Sequence, residues 1–189
     1  IVLTLIIFQG FAGWYMVKSG LINNITVSHY RLSLHLGIAI IILCIMFWLI
    51  LNLRNKTSIF FFINKKNKIY FLFLIFIIFL QIIFGAFVSG LDAGKIYQTW
   101  PLMNDNYFPS DTNILSYKDI VNFDNQSLVQ FYHRNLAYII FVLFFILGIY
   151  IYCLNIRKLF KPFFVVFLFL SFQIFLGIIT LITDLNIYL

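Results

Sequence analysis

Charge is scarce in this chain. Asp, Glu, Lys and Arg together make up 10% of its 189 residues, against about 25% in an ordinary soluble domain. With 63% apolar residues and a mean hydropathy of +1.01, the soluble globular class is excluded. Cysteine is nearly absent. Cys44 and Cys153 fall in or near the inner ends of apolar blocks, where no disulfide framework forms, and both read as small apolar packing residues. The chain also lacks the basic leader of a signal peptide, so its opening apolar block is not one. It has no initiator Met and stops where its last block ends, and it reads as an internal piece of a longer protein.

What is present is apolar sequence in long blocks. Five are of the order of 20 residues, enough to cross a bilayer as helices. They run over Ile1–Val17, Tyr30–Leu51, Ile69–Gly90, Gln126–Tyr152 and Pro162–Thr183. The expected fold is therefore all-α, a polytopic membrane helical bundle. The net charge of +7 is no nucleic-acid signal, because the bases gather in particular loops and set orientation instead. Arg54, Lys56, Lys65, Lys66 and Lys68 follow the second block, and Arg157, Lys158 and Lys161 follow the fourth. Loops 52–68 and 153–161 are thus expected on the cytoplasmic or matrix side. The long loop 91–125 holds Asp92, Asp105, Asp111, Asp119 and Asp124 against Lys95 and Lys118, and is expected on the outer side.

A repeat runs through the blocks. Gln9-x3-Gly13, Gln81-x3-Gly85 and Gln173-x3-Gly177 lie in the first, third and fifth. Each pair is four residues apart and shares a helix face. A small residue there lets backbones approach, and an amide can hydrogen-bond across the interface. Interhelical bonding is the favoured reading of these glutamines over cofactor contact. The second and fourth blocks each carry one histidine near the outer end, His35 and His133. The unit of repetition is then a Gln/Gly helix followed by a His helix. This predicts eight spans in two four-helix halves: residues 1–51 end the first half, 52–68 link, and 69–189 give three helices of the second.

An ionisable ring inside a membrane is costly unless paired or ligated, and neutral imidazole is the usual axial ligand of haem iron. His35 lies about five residues inside its block, some 7–8 Å deep at 1.5 Å per residue. Each imidazole reads either as a structural hydrogen-bonding group or as an axial ligand; two at matching repeat positions favour ligation. Arg31 precedes His35 by one turn on the same face, and Arg134 follows His133 directly. Both suit haem propionates, or they snorkel to lipid headgroups. Gln130 is placed to hold the His133 ring or meet a haem edge. His29, at the membrane edge and outside the repeat, reads as a surface residue. The Tyr97–Met103 segment either anchors at the interface or caps a pocket. From the residues alone a di-haem electron-transfer cytochrome b remains open. So does a transporter, with His and Gln lining a polar path.

Longer motifs point further. Gly85-Ala86-Phe87-Val88-Ser89-Gly90-Leu91-Asp92-Ala93-Gly94 and Thr99-Trp100-Pro101-Leu102-Met103 resemble the haem A synthase family, in its alphaproteobacterial and mitochondrial branch. Leu128-Val129-Gln130-Phe131-Tyr132-His133-Arg134 is similar to that family's sixth-helix motif, and Tyr30-Arg31-Leu32-Ser33-Leu34-His35-Leu36 to its fourth. Gly13-Trp14-Tyr15-Met16-Val17-Lys18-Ser19-Gly20-Leu21 resembles the end of its third. The resemblance covers essentially the whole chain and makes the five blocks the third to seventh helices of eight. It implies a bacterial or mitochondrial inner-membrane oxidoreductase that converts a methyl group of haem O to a formyl group, making haem A for cytochrome oxidase.

It also implies His35 as axial ligand of the substrate haem with Arg31 beside it. His133 becomes axial ligand of a resident haem b, with Arg134 and Gln130 near. The implied partners are haem O, haem O synthase and an electron donor that the sequence does not identify. The family's second and eighth helices have no counterpart in these residues, so the 189 residues alone are expected to be inactive, and no catalytic residue is assigned. The rival is a di-haem b-type cytochrome that leaves the haem unmodified.

Overall fold

The computed structural model describes residues 2–20, 27–54, 65–112 and 114–183. Among the described residues six helices form: α1 Val2–Gly20, α2 His29–Arg54, α3 Lys65–Gly90, α4 Tyr117–Ile120, α5 Gln126–Cys153 and α6 Arg157–Ile182. A 3-10 turn covers Ala93–Lys95. Among the described residues the one β-type pairing is the isolated bridge between Met103 and Asn106. The all-α expectation holds. Helices α2, α3, α5 and α6 are long and apolar enough to cross a membrane, and α1 is a shorter apolar helix.

The helices outrun the apolar blocks. Helix α2 continues to Arg54, α3 starts at Lys65, and α6 starts at Arg157, five residues before Pro162. Hydropathy marks the width of an apolar slab, whereas backbone hydrogen bonding carries a helix on into polar flanks. Most of the expected linker 52–68 falls in residues 55–64, outside the described residues.

The chain divides into two compact units, Ile1–Leu91 and Asp92–Leu189. In the first, α2 packs against both α1 and α3. Its buried positions Ser33, Gly37 and Ile42 include two small residues, and a Cβ on Gly37 would lie 3.4 Å from the Phe79 ring. The N-terminal end of α2 and the C-terminal end of α3 meet still more closely. A Cβ on Gly90 would fall 2.8 Å from His29 Cβ and 2.9 Å from its Cα, so only glycine permits this approach. His29 is therefore buried, 7% exposed, with its ring edge-on to Phe87 at 5.1 Å. The expectation that it sits on the surface is corrected: a glycine on the neighbouring helix makes room for it.

In the second unit α5 and α6 form an antiparallel pair turned by Leu154–Ile156, with Asn155 at φ 50°. Asparagine tolerates this left-handed conformation better than most residues. Ile140, Phe144, Leu147 and Ile151 form a buried stripe at helical spacing on α5. Gly148 lies against the Phe163 ring, 2.7 Å from a would-be Cβ, and Phe163 stacks with Phe144 and Phe167. Most other large apolar side chains point outward, Leu43, Phe47 and Trp48 among them, as lipid-facing surfaces do. Cys44 and Cys153 are unbridged and exposed. The packing role expected of them is corrected, because each falls on an outward helix face.

Candidate functional site

Each unit holds one of the two histidines singled out by the sequence. In the first, the half-buried His35 ring of α2 points at α1. Gly13 leaves a notch for it: a Cβ there would sit 3.0 Å from His35 Cε1. One turn earlier on α1, Gln9 Nε2 donates to the His35 carbonyl oxygen at 3.0 Å and lies 3.3 Å from the ring Nε2. The Gln-x3-Gly pair thus does the interhelical bonding expected of it, and does so at the histidine itself. His35 Nδ1 is buried and makes no hydrogen bond among the described residues.

Arg31 lies one turn toward the end of α2. Its guanidinium stacks over the Tyr15 ring at 4.9 Å, while Lys18 sits over Trp14 at 4.6 Å. Such cation–π contacts hold a charge against an apolar surface at little desolvation cost. The C-terminal half of α1 therefore presents aromatic faces to Lys18 and Arg31.

The second unit surrounds His133 differently. Helix α5 starts cleanly, because Asn125 caps it by accepting from Leu128 N at 3.1 Å. His133 is half-buried about two turns further on. Its neighbour Arg134 reaches the 97–102 segment of the preceding loop. Arg134 Nη2 donates to the Tyr97 carbonyl at 2.6 Å, and Nη1 to those of Thr99 and Leu102 at 2.9 and 3.4 Å. Gln130 Nε2 donates to the same Tyr97 carbonyl at 2.9 Å. Both residues thus hold the loop. Arg134 Nε and Gln130 Oε1 stay buried without a hydrogen-bond partner among the described residues.

Further contacts complete the latch. The Tyr97 hydroxyl donates to Asp111 Oδ1 at 2.6 Å, and the Ser127 hydroxyl to Asp111 Oδ2 at 2.6 Å. Burial pushes the Asp111 carboxyl up, but the Ser127 and Tyr97 hydroxyls outweigh it and hold the group below the usual aspartate range. Burial, then the bond to this carboxylate, raises the Tyr97 phenol. Trp100 Nε1 donates to the Tyr138 hydroxyl at 2.9 Å, beside the cis Trp100–Pro101 bond. The Tyr107 hydroxyl bonds Asn135, and Met103 is buried at 2% exposure. The Tyr97–Met103 segment is therefore folded onto α5, more than an interface anchor.

Sequence reasoning missed Asp111, Tyr97 and Ser127 as a set. Asp111 counted only toward the loop's charge, and no period links three residues so far apart in the chain. The one available signal was the uneven placement of acids, since five of the six fall within 92–124.

An imidazole set in an apolar helix is the donor type a haem iron takes, and His35 meets that description. The profile of the COX15-CtaA family, described as cytochrome oxidase assembly protein, matches residues 1–189. Among curated proteins the chain is 46% identical to a "Heme A synthase" of Pelagibacter ubique (strain HTCC1062), over 97% of this chain and 53% of that protein. It is 42% identical to one from Wolbachia pipientis subsp. Culex pipiens (strain wPip), over 93% and 51%, and 38% identical to one from Rickettsia africae (strain ESF-5), over 96% and 54%. No solved structure matches. The chain spans about half the length of the curated relatives it matches. With a profile match over every residue, the chain belongs to the COX15-CtaA family of cytochrome oxidase assembly proteins.

Proposed function

We propose that the full-length protein carrying this chain is a haem A synthase. In this reading it oxidises a methyl group of haem O to a formyl group in successive oxygenation steps, with dioxygen as the oxidant and an electron donor supplying the electrons that reduce its second atom to water. The observation that carries it is the His35 imidazole, set inside an apolar helix against the Gln9–Gly13 face of its neighbour, in a chain so similar to proteins of that name. Haem O is the substrate, and haem O synthase a natural supplier.

His35 would hold the substrate haem and His133 a resident haem b. A bound haem supplies the redox-active iron. The chain's own residues supply the imidazoles, an apolar surround and cations for the propionates. Arg31, stacked on Tyr15, is free to swing to a carboxylate from an aromatic face. Arg134 has its Nη atoms on the loop, so its role toward haem b rests on Nε, with Gln130 Oε1 beside the same loop edge. Two four-helix halves, joined through 52–68, would place the five apolar helices third to seventh in the whole protein. Loops 52–68 and 153–161 would face the cytoplasm or matrix across a bacterial or mitochondrial inner membrane.

The test is expression of the full-length gene with a source of haem O, followed by chromatography of the extracted haems. Haem A should accumulate. Bound haem b with haem O persisting and no haem A would return the electron-transfer cytochrome, and no haem spectrum at all the transporter. A reporter fused after Lys66 should read cytoplasmic and one near Asp111 external; the reverse pattern overturns the orientation.

A further inference from the structure

The contact between Gln9 and His35 fixes more than helix packing. The Gln9 amide nitrogen is identified by its bond to the His35 carbonyl oxygen at 3.0 Å, because a carbonyl can only accept. The same nitrogen lies 3.3 Å from the ring Nε2. A carboxamide nitrogen can only donate, so Nε2 accepts with its lone pair and the imidazole proton resides on Nδ1. At the same time Cε1 fills the notch left by Gly13. The ring is neutral, its one lone pair is occupied, and its tip is buried between helices.

We infer that Gln9 and Gly13 form a seat that parks the His35 imidazole and competes with iron for its Nε2 lone pair. The inference rests on the haem reading of His35. A lone pair directed at an amide hydrogen is not available to a metal, so ligation through Nε2 takes the ring out of the seat. A substrate haem must leave after conversion, and the seat offers the released imidazole a satisfied alternative to holding the product. Gln9 is thus a positioning residue that acts through His35, and Gly13 shapes the space it needs.

The experiment uses the full-length protein, purified without haem and titrated with ferric haem O. The readouts are the Soret change and the haem dissociation rate, with His35→Ala defining the signal that belongs to this site. Gln9→Met keeps the side chain's length and removes the donor. It should lower the haem Kd about fivefold, the worth of one ordinary hydrogen bond, and slow release by a similar factor. Gly13→Ala meets the ring at 3.0 Å and should shift the Kd in the same direction while leaving Gln9 intact, so the two variants check each other should one fold poorly. Weaker haem binding in both would make Gln9 a brace of the ligated ring and overturn the parking role. An unchanged Kd with a lower Tm would reduce the pair to helix packing and also overturn it. If His35→Ala leaves wild-type haem binding untouched, the haem reading of His35 fails, and the seat with it.

Discussion

The two histidine helices start alike and are braced by different means. His35 and His133 each lie about two turns into a long apolar helix, α2 and α5. Around His35 the partner is another helix: Gln9 and Gly13 take the ring, and Tyr15 takes the nearby Arg31. Around His133 the partner is a loop, held through Arg134, Gln130 and Ser127. Similar histidine placement therefore does not mean similar local design. One ring is set by residues on two facing helices. The other sits beside a polar latch whose members lie far apart in the sequence.

The comparison breaks most sharply at the histidines. In the full-length protein His133→Ala should remove the haem b spectrum, and His35→Ala should abolish haem A formation while leaving haem b in place. Optical spectra of purified protein and extracted haems measure both. If both variants keep wild-type spectra and activity, the two rings are structural and the contrast between them has no functional content.

The arginines come next, and they should part company. Arg134→Gln loses donors to three loop carbonyls, in a setting where a hydrogen bond from a charged group contributes about 1.5–3 kcal/mol. The 97–102 segment should then exchange its amide hydrogens at least tenfold faster. Arg134→Lys should restore little, because an ammonium lacks the planar fork. Arg31→Gln gives up a cation–π contact of about 0.5–1 kcal/mol and should leave the loop untouched. Haem retention measured in the same variants then reports on the propionates: a loss in Arg31→Gln that Lys only partly restores is a fork's signature, and full restoration by Lys is that of headgroup contact.

Acid sharpens the comparison further. The Asp111 carboxyl is held below the usual aspartate range in the folded loop. A depressed folded pKa contributes stability that is present above the unfolded aspartate value and is lost as pH falls through the folded one. Protease nicking of loop 92–112 should therefore rise as pH drops below the ordinary aspartate range, and Asp111→Asn should flatten that dependence. Residues 1–91 contain no Asp or Glu, so the first unit should show no matching change across the aspartate range.

A last contrast separates glycines within the first unit. Gly90→Ala drives a Cβ to 2.8 Å from His29 Cβ and 2.9 Å from its Cα. Separating α2 from α3 to fit it should cost about 1–3 kcal/mol. Gly10 meets nothing within 4 Å, so Gly10→Ala should be neutral or slightly stabilising through helix propensity. Steric trapping or thermal unfolding in micelles measures both.

Much of this was legible in the sequence, and for a physical reason. A membrane span must satisfy its own backbone and show lipid an apolar face, so composition alone located the long helices. Gln9 with Gly13 was legible as an interhelical pair, because both sit on one turn of one helix. Their exact target, His35, was not, since pairing between helices leaves no period. His29 was misread because the residue that buries it, Gly90, lies on another helix. The Asp111 latch was hidden for the same reason: Tyr97, Asp111 and Ser127 meet only once the loop has folded back.

That latch also fixes an order of events during synthesis. Tyr97, Thr99, Leu102 and Asp111 leave the ribosome before Ser127, Gln130 and Arg134, which bind them. Because domains assemble as the chain emerges, the loop must wait without its ties until the N-terminal end of α5 arrives beside it. A stall or truncation between residues 112 and 126 would leave every one of those carbonyls and the Asp111 carboxylate without their α5 donors.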